Sequence, residues 1–302
     1  MSGDGVSNRA TGLRRTWRGF RAHSLAVAGL VIVALVTVVG ILAYVDDAFF
    51  GNALITSVYY SPYEPQFIPL QGPSMAHPFG TDTLGRDVLA RTIYGAKVSI
   101  QVAMTAVLVA ATIGSPLGVV AGYAGGYVET VVMRTVDVLL GFPALVLAIG
   151  LVAALGFNLT NVIIALGIVY VPQFARIARS TALSVSSEEY VDAAKALGYS
   201  TRHIVFREVL PNCVSPLLVQ ASLLMAFAII AEASLSFLGL GVQPPTPTWG
   251  QMVSDGSGYL TSAPWISFFP GMAIFVTVLG FNLIGDGLRD ALDPRESAER
   301  RF

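Results

Sequence analysis

Charge is scarce in this sequence, and so are the residues that most often carry out chemistry. Only 12% of the 302 residues are Asp, Glu, Lys or Arg, alongside three histidines and one cysteine. The lone Cys213 excludes an internal disulfide and any multi-cysteine metal site, and it reads as a small packing residue. His23, His77 and His203 fall in three separate polar segments, so no His, Ser or Cys constellation points to catalysis. The two lysines, Lys97 and Lys195, complete no G-x-x-x-x-G-K-[ST] loop, so the chain has no phosphate cradle of that kind for ATP. A net charge of -1 without a basic cluster argues against nucleic acid as a partner. No internal repeat is visible, which withdraws support from an inverted-repeat secondary transporter.

What the chain has in abundance is apolar side chain, at 54% of residues. A soluble core helix rarely stays uncharged for the roughly 20 residues a bilayer requires. Here residues 25–45 carry no charge at all, and they follow Arg9, Arg14, Arg15, Arg18 and Arg21. This is the pattern of a first span leaving the cytoplasm. The run is too long for the apolar region of a secretory signal, and no small-residue cleavage site follows it. Further spans are expected at 98–122, 131–155, from Asn161 to near Arg176 and Arg179, at 216–238 and at 268–288. The uncharged stretch 138–175 is long enough for two of them, with the break at Gly156-Phe157-Asn158-Leu159-Thr160-Asn161, where a helix stop meets capping residues.

The expected fold is therefore all-α and integral to the membrane, with six transmembrane helices. Its parts are a cytoplasmic tail (1–24), a first helix (25–45), an external segment with an interfacial helix (46–97), a five-helix core (98–288) and a cytoplasmic tail (289–302). With the N-terminus inside, 15 of the 18 Lys and Arg residues fall on the cytoplasmic side; Arg86, Arg91 and Lys97 are the exceptions. Both termini are placed in the cytoplasm of a cell whose plasma (inner) membrane the chain crosses several times.

The most informative polar stretch is the cytoplasmic loop 180–212. Ser186 and Glu189 have capping-box spacing, and Gly198 suits a helix C-cap, so a short helix is expected between them. Tyr190, Val191, Ala194 and Leu197 form its apolar stripe, while Asp192 and Lys195 can pair three residues apart. Ala193 and Ala194 let another protein's surface approach closely. A second helical piece is expected to stop at Leu210-Pro211-Asn212. Physics alone leaves two readings of this knob, a helix resting on the membrane surface or a docking element.

Asp192-Ala193-Ala194, Gly198 and Leu210-Pro211 resemble the coupling-loop motif of ABC-importer permeases, with Asp192 in place of Glu and Glu208 at an Ile position. Gly80-Thr81-Asp82-Thr83-Leu84-Gly85-Arg86-Asp87 and Leu235-Ser236-Phe237-Leu238-Gly239-Leu240-Gly241-Val242-Gln243-Pro244-Pro245 look like hallmarks of the C-type subunit of dipeptide, oligopeptide and nickel permeases. Gly285-Asp286-Gly287-Leu288-Arg289-Asp290-Ala291-Leu292-Asp293-Pro294 is similar to that group's C-terminal end. The resemblance implies a type I ABC-importer permease with cytoplasmic coupling helices. It further implies a second homologous permease, two ABC ATPase subunits that bind ATP and Mg, and an external solute-binding protein. No cofactor is expected in this chain. Peptide is the leading substrate class, with nickel, glutathione and oligosaccharide as alternatives. An ion-coupled secondary transporter using Glu232 or Asp286 is the rival class, and a non-transporting scaffold is a third.

Four further features carry expectations. Glu232 lies deep in the fifth span, where a lone carboxylate costs roughly 2.5–3.5 kcal/mol, so it either lines the pathway or makes a structural hydrogen bond or ion pair. Arg134 and Asp137, candidate pathway or intramembrane polar residues like Glu232, sit three apart and can neutralise one another, a structural pair being the favoured reading. Pro143, Pro116 and Pro172 are candidate kinks. In the external segment, Asp82 and Asp87 beside Arg86 read as capping and pairing residues rather than a cation site.

Overall fold

The computed structural model describes residue 17 and residues 19–292. Expectations placed on Arg9, Arg14, Arg15, Arg18, Asp293 and Pro294 lie outside the described residues. From residue 24 on, the described α-helices are α1 (Ser24–Phe50), α2 (Ala53–Val58), α3 (Val88–Ala124), α4 (Gly126–Leu140), α5 (Ala144–Leu155), α6 (Leu159–Ser186), α7 (Glu189–Ala196), α8 (Thr201–Ile204), α9 (Leu210–Phe237), α10 (Trp249–Ser257) and α11 (Trp265–Leu292). α1, α3, α6, the continuous stretch from α8 through α9, and α11 are each long and apolar enough to cross a membrane. α4 and α5 make a sixth crossing if the pair is taken as one span, with a 90° bend between them.

The expected boundaries hold where capping residues set them. Asn158 Oδ1 accepts from the Asn161 backbone N–H at 2.9 Å and starts α6, and Gly156, at φ +102, ends the chain's approach to it. They fail where charge was read as the edge of the bilayer. Residues 88–97 are not a separate interfacial helix: they are the first turns of α3, whose 37 residues reach about 55 Å, well beyond a hydrocarbon core of about 30 Å. Arg91 and Lys97 do not interrupt it because both are paired. Arg91 Nη1 donates to the Pro62 carbonyl at 3.0 Å, and Lys97 meets Asp47 at the end of α1. The first span likewise runs on to Phe50 and the last from Trp265 to Leu292.

The expected third span, 131–155, is broken outright. Pro143 does not kink a continuous helix: α4 ends at Leu140, the chain turns through Gly141 and Phe142, and Pro143 stands at the N-cap of α5. Pro211, by contrast, does not stop its helix. Residues Val205–Val209 form a wider π turn, with the Leu210 N–H reaching the Val205 carbonyl five residues back, and α9 continues through Pro211 to Phe237. A local widening of this kind accommodates a residue that lacks an N–H and crowds the preceding turn.

The centre of the bundle is the pairing of α3 with α6. Gly114, Gly118 and Gly122 lie four apart on one face of α3, and on that face the backbones nearly touch. A Cβ on Gly118 would stand 2.1 Å from the Ala175 carbonyl oxygen, and on Gly114 2.4 Å from that of Val171. Ala178 and Ala182 complete the contact from the α6 side. Small residues at this spacing let membrane helices gain van der Waals contact where lipid offers no hydrophobic driving force. α11 packs on α1, and α9 lies against both α3 and α11. One end of the bundle bears α7 and α8; the opposite end bears residues 59–87 and 238–264.

Candidate functional site

At the α7 end, the knob is built on a seat. Val191, Ala194, Ile204, Val209 and Cys213 are buried with Ala178 and Ala182 of α6 and Val119 of α3. α7 closes through Gly198: the Tyr199 N–H reaches the Ala194 carbonyl at 3.1 Å and the Gly198 N–H that of Lys195 at 3.0 Å. This double bond pattern requires a left-handed residue after the helix, and Gly198 supplies it at φ +80. Lys195 Nζ pairs with Asp192 Oδ1 at 2.9 Å, as its spacing suggests. Asn212 Nδ2 donates to the Tyr190 hydroxyl at 3.2 Å and so ties α7 to the start of α9. Partial burial, with Glu188 and Glu208 nearby, pushes the Tyr190 phenol above its ordinary pKa.

Two expectations about this knob fail. Ser186 cannot cap α7 because it is still helical, the last residue of α6; Glu188 takes the cap position and makes no side-chain bond there. The apolar stripe also divides. Val191 and Ala194 face the seat, so Ala194 is unavailable to a partner, whereas Ala193 is exposed and Leu197 is 74% exposed. Tyr199 and Phe206, not singled out from the sequence, extend that outer face, Phe206 at 66% exposure. Leu210 and Pro211 lie on α9 at the margin of the seat, where Leu210 packs against the buried cluster. Val209, not Glu208, is the buried residue beside them.

The intramembrane charges are placed as follows. Glu232 is fully enclosed, its Oε2 accepting from Ser99 Oγ of α3 at 3.1 Å and its Oε1 from Ser236 Oγ at 2.7 Å. The structural hydrogen bond expected of this carboxylate is present, shared between α3 and its own helix. Asp137 pairs with Arg176 of α6 at 3.0 Å and not with Arg134, which is exposed and has no partner among the described residues. One turn from Arg176, Arg179 Nε reaches Glu129 at 2.7 Å, so the acidic residues of α4 are both claimed by α6.

At the opposite end, the stretch 80–87 folds into a tight corner. Asp82 accepts from the backbone N–H groups of Leu84 and Arg86 and pairs with Arg86 Nε at 2.7 Å, while Asp87 caps α3 through Ala90 and bonds His77 Nδ1 at 2.9 Å. Capping and pairing are thus the roles these aspartates perform. The 238–250 stretch is pinned to the first turns of α3, since Trp249 Nε1 donates to the Thr92 carbonyl at 2.8 Å, while Trp265 at the start of α11 donates from Nε1 to the Thr81 carbonyl of the corner at 3.1 Å. Between the two motifs lies a cavity of about 280 Å³ lined by Thr83, Leu84, Arg86, Arg91, Pro244, Thr246, Gln251, Asp255 and Tyr259. Burial raises the Asp255 pKa; Arg91 and Arg86 oppose that shift and Asp82 adds to it.

The described residues thus form a helical bundle with a seated knob at one end and the 80–87 and 238–250 stretches around one cavity at the other. Residues 114–298 match the family described as "Binding-protein-dependent transport system inner membrane component". The chain belongs to that family. It is 45% identical over 282 residues to the dipeptide transport system permease protein DppC of Alkalihalophilus pseudofirmus, spanning 93% of this chain and 90% of the relative. To the glutathione transport system permease protein GsiD of Escherichia coli it is 42% identical over 284 residues, spanning 92% and 89%. Among solved structures, the inward-facing MetNI methionine ABC transporter matches 68% of this chain and 97% of its own with a TM-score of 0.56 at 18% identity, which establishes the shared fold. The protein is thus a multi-pass inner-membrane permease subunit of an ABC importer, working with other components of such a transporter.

Proposed function

We propose that this permease imports peptides, and that its α7–α8 knob is the element through which separate ATPase subunits drive it. The observation that carries the reading is the division of α7: a buried face anchors it to α3 and α6, while Ala193, Leu197, Tyr199 and Phe206 are left facing outward. An exposed apolar cluster on a firmly seated projection is suited to a groove on another protein. The knob end also carries Arg176, Arg179, Lys195, Arg202 and Arg207, which supports a cytoplasmic position for it and for both termini.

In this reading a second, homologous permease completes the pathway, two ATPase subunits bind ATP and Mg at the knobs, and a solute-binding protein delivers substrate to the 59–87 end. Relatives named for dipeptide, peptide and glutathione transport support peptide as the substrate class, glutathione being itself a peptide. The test is uptake of a labelled dipeptide by proteoliposomes holding the full complex. ATP and the binding protein should both be required, and Ala193→Asp should abolish both uptake and ATPase co-purification while the permease still inserts. Uptake driven by a proton gradient without ATP, or an Ala193→Asp variant that still co-purifies and transports, overturns the assignment.

A further inference from the structure

The cavity between residues 83–91 and 244–259 contains charges that the fold does not use up. Arg86 and Arg91 are 7% and 3% exposed, and both are held by Asp82, Arg86 through Nε at 2.7 Å and Arg91 through Nε at 3.5 Å. Arg91 Nη1 is taken by the Pro62 carbonyl. Among the described residues, Arg91 Nη2 and both terminal nitrogens of Arg86 make no hydrogen bond. Across the cavity, the Asp255 carboxylate of α10 makes neither a hydrogen bond nor an ion pair among those residues, although its titration responds to both arginines. The donors and the acceptor therefore line one cavity without closing on each other.

This arrangement selects by chemistry. A simple anion drawn to the guanidinium groups would meet Asp255, and a simple cation drawn to Asp255 would meet two arginines. A molecule bearing both charges a few bonds apart satisfies every group: a carboxylate matches the planar donor fork of arginine, and an ammonium matches a carboxylate acceptor. Gln251, Thr83 and Thr246 add neutral hydrogen-bonding groups to the wall, and Leu84 and Tyr259 form an apolar rim. The walls are preorganised by the two tryptophan N–H bonds to the Thr92 and Thr81 carbonyls, so little ordering is required on binding.

We propose that this cavity is a binding site for a zwitterionic short peptide on the permease itself, with the α-ammonium group on Asp255 and the α-carboxylate on Arg86 and Arg91. The choice of a peptide rests on the importer reading above; the demand for paired opposite charges does not. The site is a staging position on the 59–87 face, outside the apolar bundle, where a peptide released by a delivering protein is held by its ends whatever its side chains.

The experiment uses the assembled transporter in nanodiscs without the binding protein, titrated calorimetrically with dialanine, N-acetyl-dialanine and dialanine amide. Dialanine should bind at least tenfold more tightly than either blocked peptide. Asp255→Asn should erase the discrimination against the N-acetyl form and keep that against the amide, with the melting temperature of the complex unchanged. Should that variant misassemble, a diazirine-bearing dipeptide on the wild-type complex gives the second readout, with labelling expected within 244–259. Equal affinities for the three peptides, an unaffected Asp255→Asn variant, or labelling elsewhere overturns the proposal. It is also overturned if the binding protein shields Tyr259→Cys from maleimide and excess dialanine does not, which makes the cavity a docking socket. ATP-dependent peptide uptake without these binding differences ends this proposal and leaves the importer reading intact. The binding differences without peptide uptake do the reverse.

Discussion

Glu232 shows how a single buried carboxylate can tie two helices together. Its two oxygens bridge Ser99 on α3 and Ser236 one turn along its own helix, so its removal strands two hydroxyl groups inside the bundle. Hydrogen bonds between membrane helices contribute roughly 0.6–2 kcal/mol each. Glu232→Gln, which keeps one acceptor oxygen for one serine and offers an NH2 group from which the other serine's oxygen can accept, is expected to leave uptake and assembly close to wild type. Glu232→Leu is expected to lower the melting temperature of the purified complex, by an amount corresponding to about 1–3 kcal/mol for the unsatisfied groups. Gly198 acts through the backbone instead. No atom stands within 4 Å of a Cβ placed there, so the obstacle to Gly198→Val is its φ of +80 alone. That variant should loosen α7 by about 1–2 kcal/mol and weaken ATPase co-purification, while membrane insertion is retained. The sequence disclosed both residues, Glu232 by its depth in an apolar run and Gly198 by following a helical stripe. It could not disclose that Asp137 belongs to Arg176, because partners 39 residues apart meet only through the packing of α4 on α6.

At the scale of elements, spacing was more legible than length. The start of α6 was visible in Gly156 and Asn158, whose chemistry is local. The extent of α3 was not, because whether Arg91 and Lys97 mark a water boundary depends on Pro62, Asp82 and Asp47, which lie far away in sequence. Pro211 was misleading for a related reason: a π turn just before it absorbs the crowding that would otherwise end the helix. The Gly114, Gly118 and Gly122 ladder was present in the sequence at four-residue spacing, and its partner carbonyls on α6 give it meaning. Gly118→Leu drives a side chain into the Ala175 carbonyl and should separate α3 from α6. The expected outcome is loss of folded permease, read as aggregation in fluorescence-detected size exclusion, since overpacking a close contact costs about 1–3 kcal/mol or more. A Gly118→Ala variant tests the same contact with a single methyl group and should be intermediate.

For the whole molecule, the charge distribution predicts an orientation that the single cysteine makes easy to measure. Cys213 is buried, so background labelling by a membrane-impermeant maleimide should be low. Tyr199→Cys on the knob is expected to label only in inside-out vesicles, and Met75→Cys, at the other end and fully exposed, only in right-side-out ones. The opposite pattern would place the knob outside and remove it from any contact with a cytoplasmic ATPase. The membrane class, the family and the knob were all visible in the sequence from its long uncharged runs and the motif at 192–211. The cavity at the far end was not, because its walls come from motifs some 160 residues apart that are brought together by Trp249 and Trp265.

The contact between α3 and α6 has a mechanical consequence. Where two backbones approach with little more than alanine methyl groups between them, little is soft enough to shear, and the pair should travel as one beam from the corner at Asp87 to the seat beneath the knob. A displacement applied at the knob would then reach the far face undiminished, and the compliance that a transport cycle needs would be concentrated at the joint through Gly141, Phe142 and Pro143.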